Sequence, residues 1–478
     1  MSSFVSAAGA DVYDVTNPPT GYTAAIPDDN GDDFDAIDAL IDMVQSKGGG
    51  TLYFPPGRYH IYDRNNEFYF RISDTPNLTL LGSDSQPLQS IISFVHRTTG
   101  DPNTYYDDKG FFIERSPYFT MRNLHLTSES AVVNGKLSQN MANGLMIRQG
   151  SPHAMIDNVD FSFFSRHGLL VRSDAVEKSD YLRVNNCRFN DIRAIDASPD
   201  HESRAAFISC QVTLGDRDNY LKGVSFTNSY ITTAGFANVN NNQAFYAGFV
   251  QDLTFANNTI EGPAMQSGDN YHENRFSIFP DARGVEIWGN TFKSVGFSLH
   301  SAVEAHHNNF FNCRNFRAVG FGSKFHSNTF TIDGNVGIPY IVHLDDFTPT
   351  PEQGNPIHFF NNHFQGSNML GIENAFRNTD GYGWLIENNT FDGIPYPILI
   401  REGGDGQHVI QNNRFYFQQG AGGGITFQIP TAINAAWNVC YLTNNHFTGF
   451  TWAFDDTLSR TFNIYDGNTH NGQPVSGE

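Results

Sequence analysis

The phrase IENNTF at 386–391 decides the fold, because it keeps returning: FANNTI (255–260), IWGNTF (287–292), AHHNNF (305–310), FHSNTF (325–330), FFNNHF (359–364), IQNNRF (410–415) and LTNNHF (442–447). Each copy is an apolar residue, a spacer, two polar residues that are often Asn-Asn, one variable residue, and a closing Phe or Ile. Looser copies precede them at IDNVDF (156–161), VNNCRF (184–189) and FTNSYI (226–231). From residue 255 on, successive copies stand 18 to 34 residues apart. A repeat of that length, with strand alternation and no long helical pattern, is one turn of a solenoid. Asn tolerates left-handed backbone at a tight turn. Its amide can also bond to the equivalent Asn one coil along, which makes Asn258, Asn290, Asn308, Asn328, Asn362, Asn389, Asn413 and Asn445 the candidates for an internal ladder. Phe then fills the next inward position, so the 42 Phe are explained by stacking without any ligand.

A second strand of the same coil lies upstream of each phrase: GFFIER (110–115), GLMIRQ (144–149), GLLVRS (168–173), FSLHS (297–301), FRAVG (316–320), VHLDD (342–346), LGIEN (370–374), ILIRE (398–402) and ITFQI (425–429). Alternation turns Leu299, Leu344, Ile372, Ile400 and Phe427 inward and their C-terminal neighbours outward. The expected fold is all-β, a right-handed parallel β-helix with about 13 coils from residue 109 to the end. Residues 1–108 form an N-terminal cap continuous with the solenoid of 109–478, in one structural domain. In the cap, Phe34, Ile37, Leu40, Ile41 and Val44 recur at helical spacing. They predict a helix over about 32–47, stopped by the glycines at 48–50, that covers the open apolar end of the first coil.

The formal charge is −21 and the pI about 5.1. Such a surface repels nucleic acid and anionic membrane, so neither is an expected partner. No apolar run is long enough to span a bilayer as a helix. The N-terminus MSSFVSAAGADVYDV has no basic start followed by an apolar core. A secreted or extracellular location is nonetheless expected for a solenoid of this kind, and such solenoids often trimerise, so a homotrimer is among the expected assemblies. Cys187, Cys210, Cys313 and Cys440 are scattered without CxxC spacing and read as small core residues rather than metal ligands. No cofactor and no metal site is expected. Asp345-Asp346 is an acidic pair that suits calcium, but no EF-hand-type loop accompanies it.

The cap helix, the phrase GGGTLYFPPGRYHI at 48–61 and the Asn-rich coils resemble the pectin-lyase-like β-helix superfamily over nearly the whole chain. That resemblance implies a carbohydrate-active protein with a poly- or oligosaccharide partner, but one fold hosts many reactions. A finer local resemblance joins YDVT (13–16), the stretch 144–173 and YLRVNNCRF (181–189) to inulin fructotransferases of glycoside hydrolase family 91. It implies fructan cleavage with intramolecular fructosyl transfer, and it carries no catalytic motif.

A β-helix sets one outward residue per coil in register, about 5 Å apart. The outward column reads Glu114, Arg148, Arg172, His300, Val319, Asp345, Glu373, Arg401 and Gln428. Asp345 to Glu373 and Glu373 to Arg401 are each 28 residues apart, as neighbours would be. Paired carboxylates split their pKa values, which suits glycosidic cleavage. Glu373 is the expected acid and Asp345 the nucleophile or base, with Asp346 in reserve. Arg401, His343, His300, Arg172, Arg148 and Trp288 are the expected substrate-binding residues. Two rival placements are Glu286 and Glu304 with Trp288 and His306, and Asp281 alone. The ordinary alternative is a solvated strand face with weak ion pairs.

The basic residues suggest a different chemistry. Arg148 and Arg172 hold equivalent positions of consecutive coils and, with Arg401, Lys324, His300 and His343, suit a uronate carboxylate and proton abstraction beside it. Three functions therefore stand: a glycoside hydrolase or fructosyl transferase working through acid/base carboxylates, a uronate lyase, and a non-catalytic tailspike-like glycan-binding module.

Overall fold

A computed structural model of the chain describes residues 11–62, 68–95, 108–129, 132–133, 136–137, 142–174, 176–192, 203–211, 219–232, 242–262, 275–278, 281–317, 322–332, 340–344, 356–366, 370–374, 384–394, 396–400, 408–417, 423–427, 440–450, 452–455 and 464–475. They fall into two compact units, Met1–Thr254 and Phe255–Glu478.

In the first unit the helix runs Phe34–Ser46, and Ile37, Leu40, Ile41 and Val44 are fully buried. That apolar stripe packs on the strands Gly50–Phe54, Gly57–Tyr62 and Phe68–Ser73. The helix ends where Gly48, Gly49 and Gly50 take positive φ; a Cβ on Gly49 would lie 2.3 Å from the Pro76 carbonyl oxygen.

Most of the described strands that follow in this unit stack on three parallel ladders. The first runs Gly50–Phe54, Leu78–Gly82, Thr120–Arg122, Met155–Asp157, Arg183–Asn185 and Ser225–Thr227. The second runs Gly57–Tyr62, Ser90–Val95, His125–Glu129, Asp160–Ser162, Arg188–Asn190 and Tyr230–Thr232. The third runs Phe68–Ser73, Lys109–Glu114, Asn143–Ile147, His167–Asp174, Ser203–Gln211 and Asn242–Gly248. This is a parallel β-helix, as the repeat predicts.

The second unit repeats the plan. Arg283–Trp288 is followed by Val303–His306, Lys324–His326, Ile357–Phe360, Trp384–Glu387 and His408–Gln411. Beside them Thr259–Glu261 leads to Thr291–Lys293, Asn309–Phe311, Thr329–Ile332 and His363–Gly366. Its core is a column of parallel rings, Phe292, Phe310, Phe330, Phe364, Phe391, Phe415 and Phe447, with centroids 4.6 to 5.2 Å apart.

The structure divides the Asn-Asn phrase into two jobs. The first residue takes the left-handed turn: Asn257, His307, Ser327, Asn361, Asn388, Asn412 and Asn444 all have φ between 53 and 57°. The second is buried and forms the ladder. Asn389, for example, donates its backbone N–H and its Nδ2 to Asn413 Oδ1 at 2.9 and 3.1 Å, and its Nδ2 also to the Phe359 carbonyl at 2.9 Å. The same pattern joins the eight predicted Asn and extends to Asn468. In the first unit the ladder position holds Val159, Cys187 and Ser229 instead, after Asn158, Asn186 and Asn228 at the turn. Cys187, Cys210 and Cys313 are free and buried. Burial pushes the Cys187 and Cys313 thiols up to about 12, so they behave as the small core groups expected.

One register differs from expectation. The backbone pairs Glu373 with His343 on one side and Leu399 on the other, and Ile372 with Val342 and Ile398. Asp345 is therefore not the strand neighbour of Glu373; it lies, with Asp346 and Arg401, outside the described residues. Alternation fixes the face of a strand but not its register, and a slip of two residues leaves every side chain on its predicted face.

His408, 3% exposed, has no hydrogen-bond partner on either ring nitrogen among the described residues, and burial pushes its pKa down to about 4 from an ordinary 6.5. The unfolded chain binds this proton at mildly acidic pH and the folded chain does not. Stability is thus lost as pH falls from about 6.5 towards 4, by roughly 3 kcal/mol for this residue. His408→Leu is expected to raise the thermal midpoint at pH 5 more than at pH 8; an equal shift at both would contradict the assignment.

Candidate functional site

The third ladder of the first unit builds a cleft of about 530 Å³. Its strands send two columns inward, Phe70–Phe111–Leu145–Leu169–Ala206–Phe245 and Ile72–Ile113–Ile147–Val171–Ile208–Ala247, all fully buried. The remaining positions form the outer face in three parallel strips.

The middle strip is Arg71–Phe112–Met146–Leu170–Phe207–Tyr246. Phe112, Met146 and Leu170 pack together with Phe68 and Phe207 as an apolar floor. The Phe207 and Tyr246 rings stack at 4.6 Å, and the Arg204 guanidinium lies 4.9 Å from both centroids.

One flank is Phe68–Lys109–Asn143–His167–Arg204–Gln243, joined by Arg166 at the cleft wall. Lys109 Nζ sits 5.1 Å from the Phe68 ring, and Arg204 Nε donates to Gln243 Oε1 at 2.9 Å. His167 is buried, and its Nδ1 stands 2.7 Å from Asn143 Oδ1. Burial, helped by the charges of Arg204 and Arg166, drives its pKa well below the ordinary histidine value.

The other flank carries Ser73, Glu114, Arg172 and Ser209, and Arg148 follows directly on Ile147, whose partner is Val171. Arg148 and Arg172 thus stand one strand spacing apart, about 4.8 Å, as the sequence predicts, and both line the cleft. Glu114, outward as predicted, is not a free acid. Burial raises its carboxyl, but hydrogen bonds from Arg71 (2.5 Å) and Ser73 (2.9 Å) and the Arg71 and Arg115 charges outweigh this and hold it low.

The sequence reading found Arg148 and Arg172 but missed Lys109, Arg166, His167 and Arg204. A signal existed: Lys109, Asn143 and His167 each precede the glycine that opens GFF, GLM and GLL. That glycine is required, since a Cβ on Gly110 would lie 2.6 Å from the Phe94 ring and 2.7 Å from the Gly144 carbonyl.

The other predicted residues stand in the second unit. His300 follows Gly296–Leu299; its Nε2 meets Ser298 Oγ at 2.8 Å, and burial, aided by Arg275, pushes its pKa to about 4. Trp288 heads an outer column of stacked rings, with His306 at 6.3 Å, then His326 at 4.9 Å and Phe360 at 4.6 Å. Beside it Glu286 and Glu304 are direct strand neighbours, and Glu304 Oε1 is 3.3 Å from His326 Nε2. Asp281 occupies a turn with φ 67°.

No protein-family profile and no curated protein matches the chain. Solved structures do. The A-module of the Azotobacter vinelandii mannuronan C-5 epimerase AlgE6 aligns at 15% identity over 97% of this chain and 100% of its own, with a TM-score of 0.47. A tailspike protein mutant of Escherichia coli bacteriophage HK620, in complex with a hexasaccharide, aligns at 13% identity over 96% and 78%, with a TM-score of 0.49. The catalytic unit of a GH87 α-1,3-glucanase from Streptomyces thermodiastaticus aligns at 13% over 96% and 70%, with a TM-score of 0.41. None of these three is a fructotransferase, and the finer resemblance to that family stays an expectation. The parallel β-helix itself rests on the strand register described above.

Proposed function

We propose that this chain is a polysaccharide-cleaving enzyme that binds a carboxylate-bearing glycan in the cleft of the first unit and breaks it by β-elimination. The observation that carries this reading is the pair of cationic flanks, Lys109, Arg166 and Arg204 on one side and Arg148 and Arg172 on the other, around an apolar floor. Sugar rings present C–H faces to an apolar floor, while their acid groups reach sideways to arginine. The net charge of −21 does not oppose this. Exposed charges more than about 8 Å away are screened at physiological salt, so the local cations dominate. An arginine-held carboxylate also makes the neighbouring C–H more acidic, which is what elimination needs. Among the described residues that line the cleft none is a carboxylate, and Glu114 on the neighbouring flank is already held by Arg71, Ser73 and Arg115, which favours elimination over an acid pair. An enzyme for such a polymer works outside the cell.

A second reading has its own observation. Glu286 and Glu304 lie side by side at one strand spacing, close to the separation a retaining glycosidase uses. Glycan panels separate the two. Elimination is expected to release ultraviolet-absorbing unsaturated ends from polyuronates and nothing from neutral glucans or fructans. New reducing ends or transfer products from a neutral glycan, without absorbance, would overturn the first reading and favour the second.

A further inference from the structure

We propose that His167 is the base of this reaction and that Asn143 positions it. The inference rests on the cleft reading above. Asn143 Nδ2 donates to the Asp108 carbonyl at 3.1 Å, which fixes the amide and turns Oδ1 to His167. An amide oxygen only accepts, so His167 Nδ1 must carry the ring hydrogen and Nε2 is left with its lone pair. That Nε2 is buried at the cleft wall and has no hydrogen-bond partner among the described residues. A bare buried acceptor is costly, and in a native site it marks a place for a ligand group. Burial, and after it the charges of Arg204 and Arg166, disfavours protonation of the ring, so Nε2 keeps its lone pair ready to accept a proton.

The step balances with one group. Nε2 takes the proton from the sugar carbon bearing the carboxylate. The electron pair left there closes a double bond to the adjacent ring carbon, whose bond to the glycosidic oxygen breaks. The departing oxygen takes the proton from the imidazolium, which returns to neutral. The carboxylate of the reacting sugar lies by Arg166, Arg204 and Lys109. Arg172 is five residues along the same strand, about 16 Å away. Together with Arg148 it therefore holds a carboxylate on another sugar of the same chain.

His167→Gln is expected to lower kcat on a polyuronate at least about 10³-fold, with the Kd of a short oligouronate unchanged within about twofold. Asn143→Asp keeps His167 in place and sets a carboxylate against Nδ1, so the acid limb of the kcat–pH profile is expected to move to higher pH. A wild-type kcat in His167→Gln, a parallel loss of binding, or an unmoved acid limb in Asn143→Asp would each overturn the assignment. If the unmodified protein bound no oligouronate, the cleft reading itself would fail, independently of the base.

Discussion

Asn389→Ala is expected to lower the thermal midpoint by roughly 10 °C, whereas Asn388→Gly at the neighbouring position changes it little. Asn389 is 1% exposed and each of its polar atoms is engaged. Its Oδ1 accepts the Asn362 backbone N–H at 2.9 Å and Asn362 Nδ2 at 3.0 Å, and its Nδ2 serves Asn413 and the Phe359 carbonyl. Alanine strands the Asn362 donors and the Phe359 carbonyl in the core. Each orphan costs about 1–3 kcal/mol, and together they come to about 4 kcal/mol or more. Asn388 only supplies a backbone φ of 55°, which glycine adopts freely. A thermal melt of both variants checks the division of labour. A shift under about 2 °C for Asn389→Ala, or a larger one for Asn388→Gly, would contradict it.

The second large effect concerns Arg148 and Arg172. Replacing both by Ala is expected to raise KM for a long polyuronate about 10²- to 10³-fold while kcat changes little. In the proposed binding mode the pair grips a sugar other than the one that reacts, so its energy is the same in ground and transition states and its loss appears as uniform binding. Each arginine–carboxylate contact contributes about 1.5–3 kcal/mol. A substrate too short to reach across the apolar strip should not notice the substitution. Steady-state kinetics on a length series tests this, and a fall in kcat on the shortest substrate would place the pair at the reacting sugar instead. Added salt should mimic the double variant on long substrates, because these contacts are partly exposed.

How much of this was readable beforehand follows from what repeats encode. Asn389 and Phe391 announce the coil because the same core position recurs with the same residue. The outward placing of Arg148 and Arg172 was legible for a related reason: GLMIR and GLLVR align without a gap. The pairing of Asp345 with Glu373 was not, because loops of unequal length intervene and alternation tolerates a slip of two residues. His167 is marked in the sequence only as one of the residues, with Lys109 and Asn143, that precede a coil-opening glycine. Its distinction is an unpartnered nitrogen, created by the Asn143 amide one strand away, and no spacing rule contains that. The looser copies of the first unit were legible as coils, but Val159, Cys187 and Ser229 stand where the second unit keeps its ladder Asn.

The central claim is that the cleft over Phe112, Met146, Leu170 and Phe207 holds an acidic glycan. A crystal structure of the His167→Gln protein soaked with a hexauronate tests it most directly. Sugar density is expected along that floor, with one carboxylate at Arg148 and Arg172 and another beside Arg166 and Arg204. A well-ordered glycan seated instead on the Trp288–Glu304 face, with the cleft empty, would contradict it.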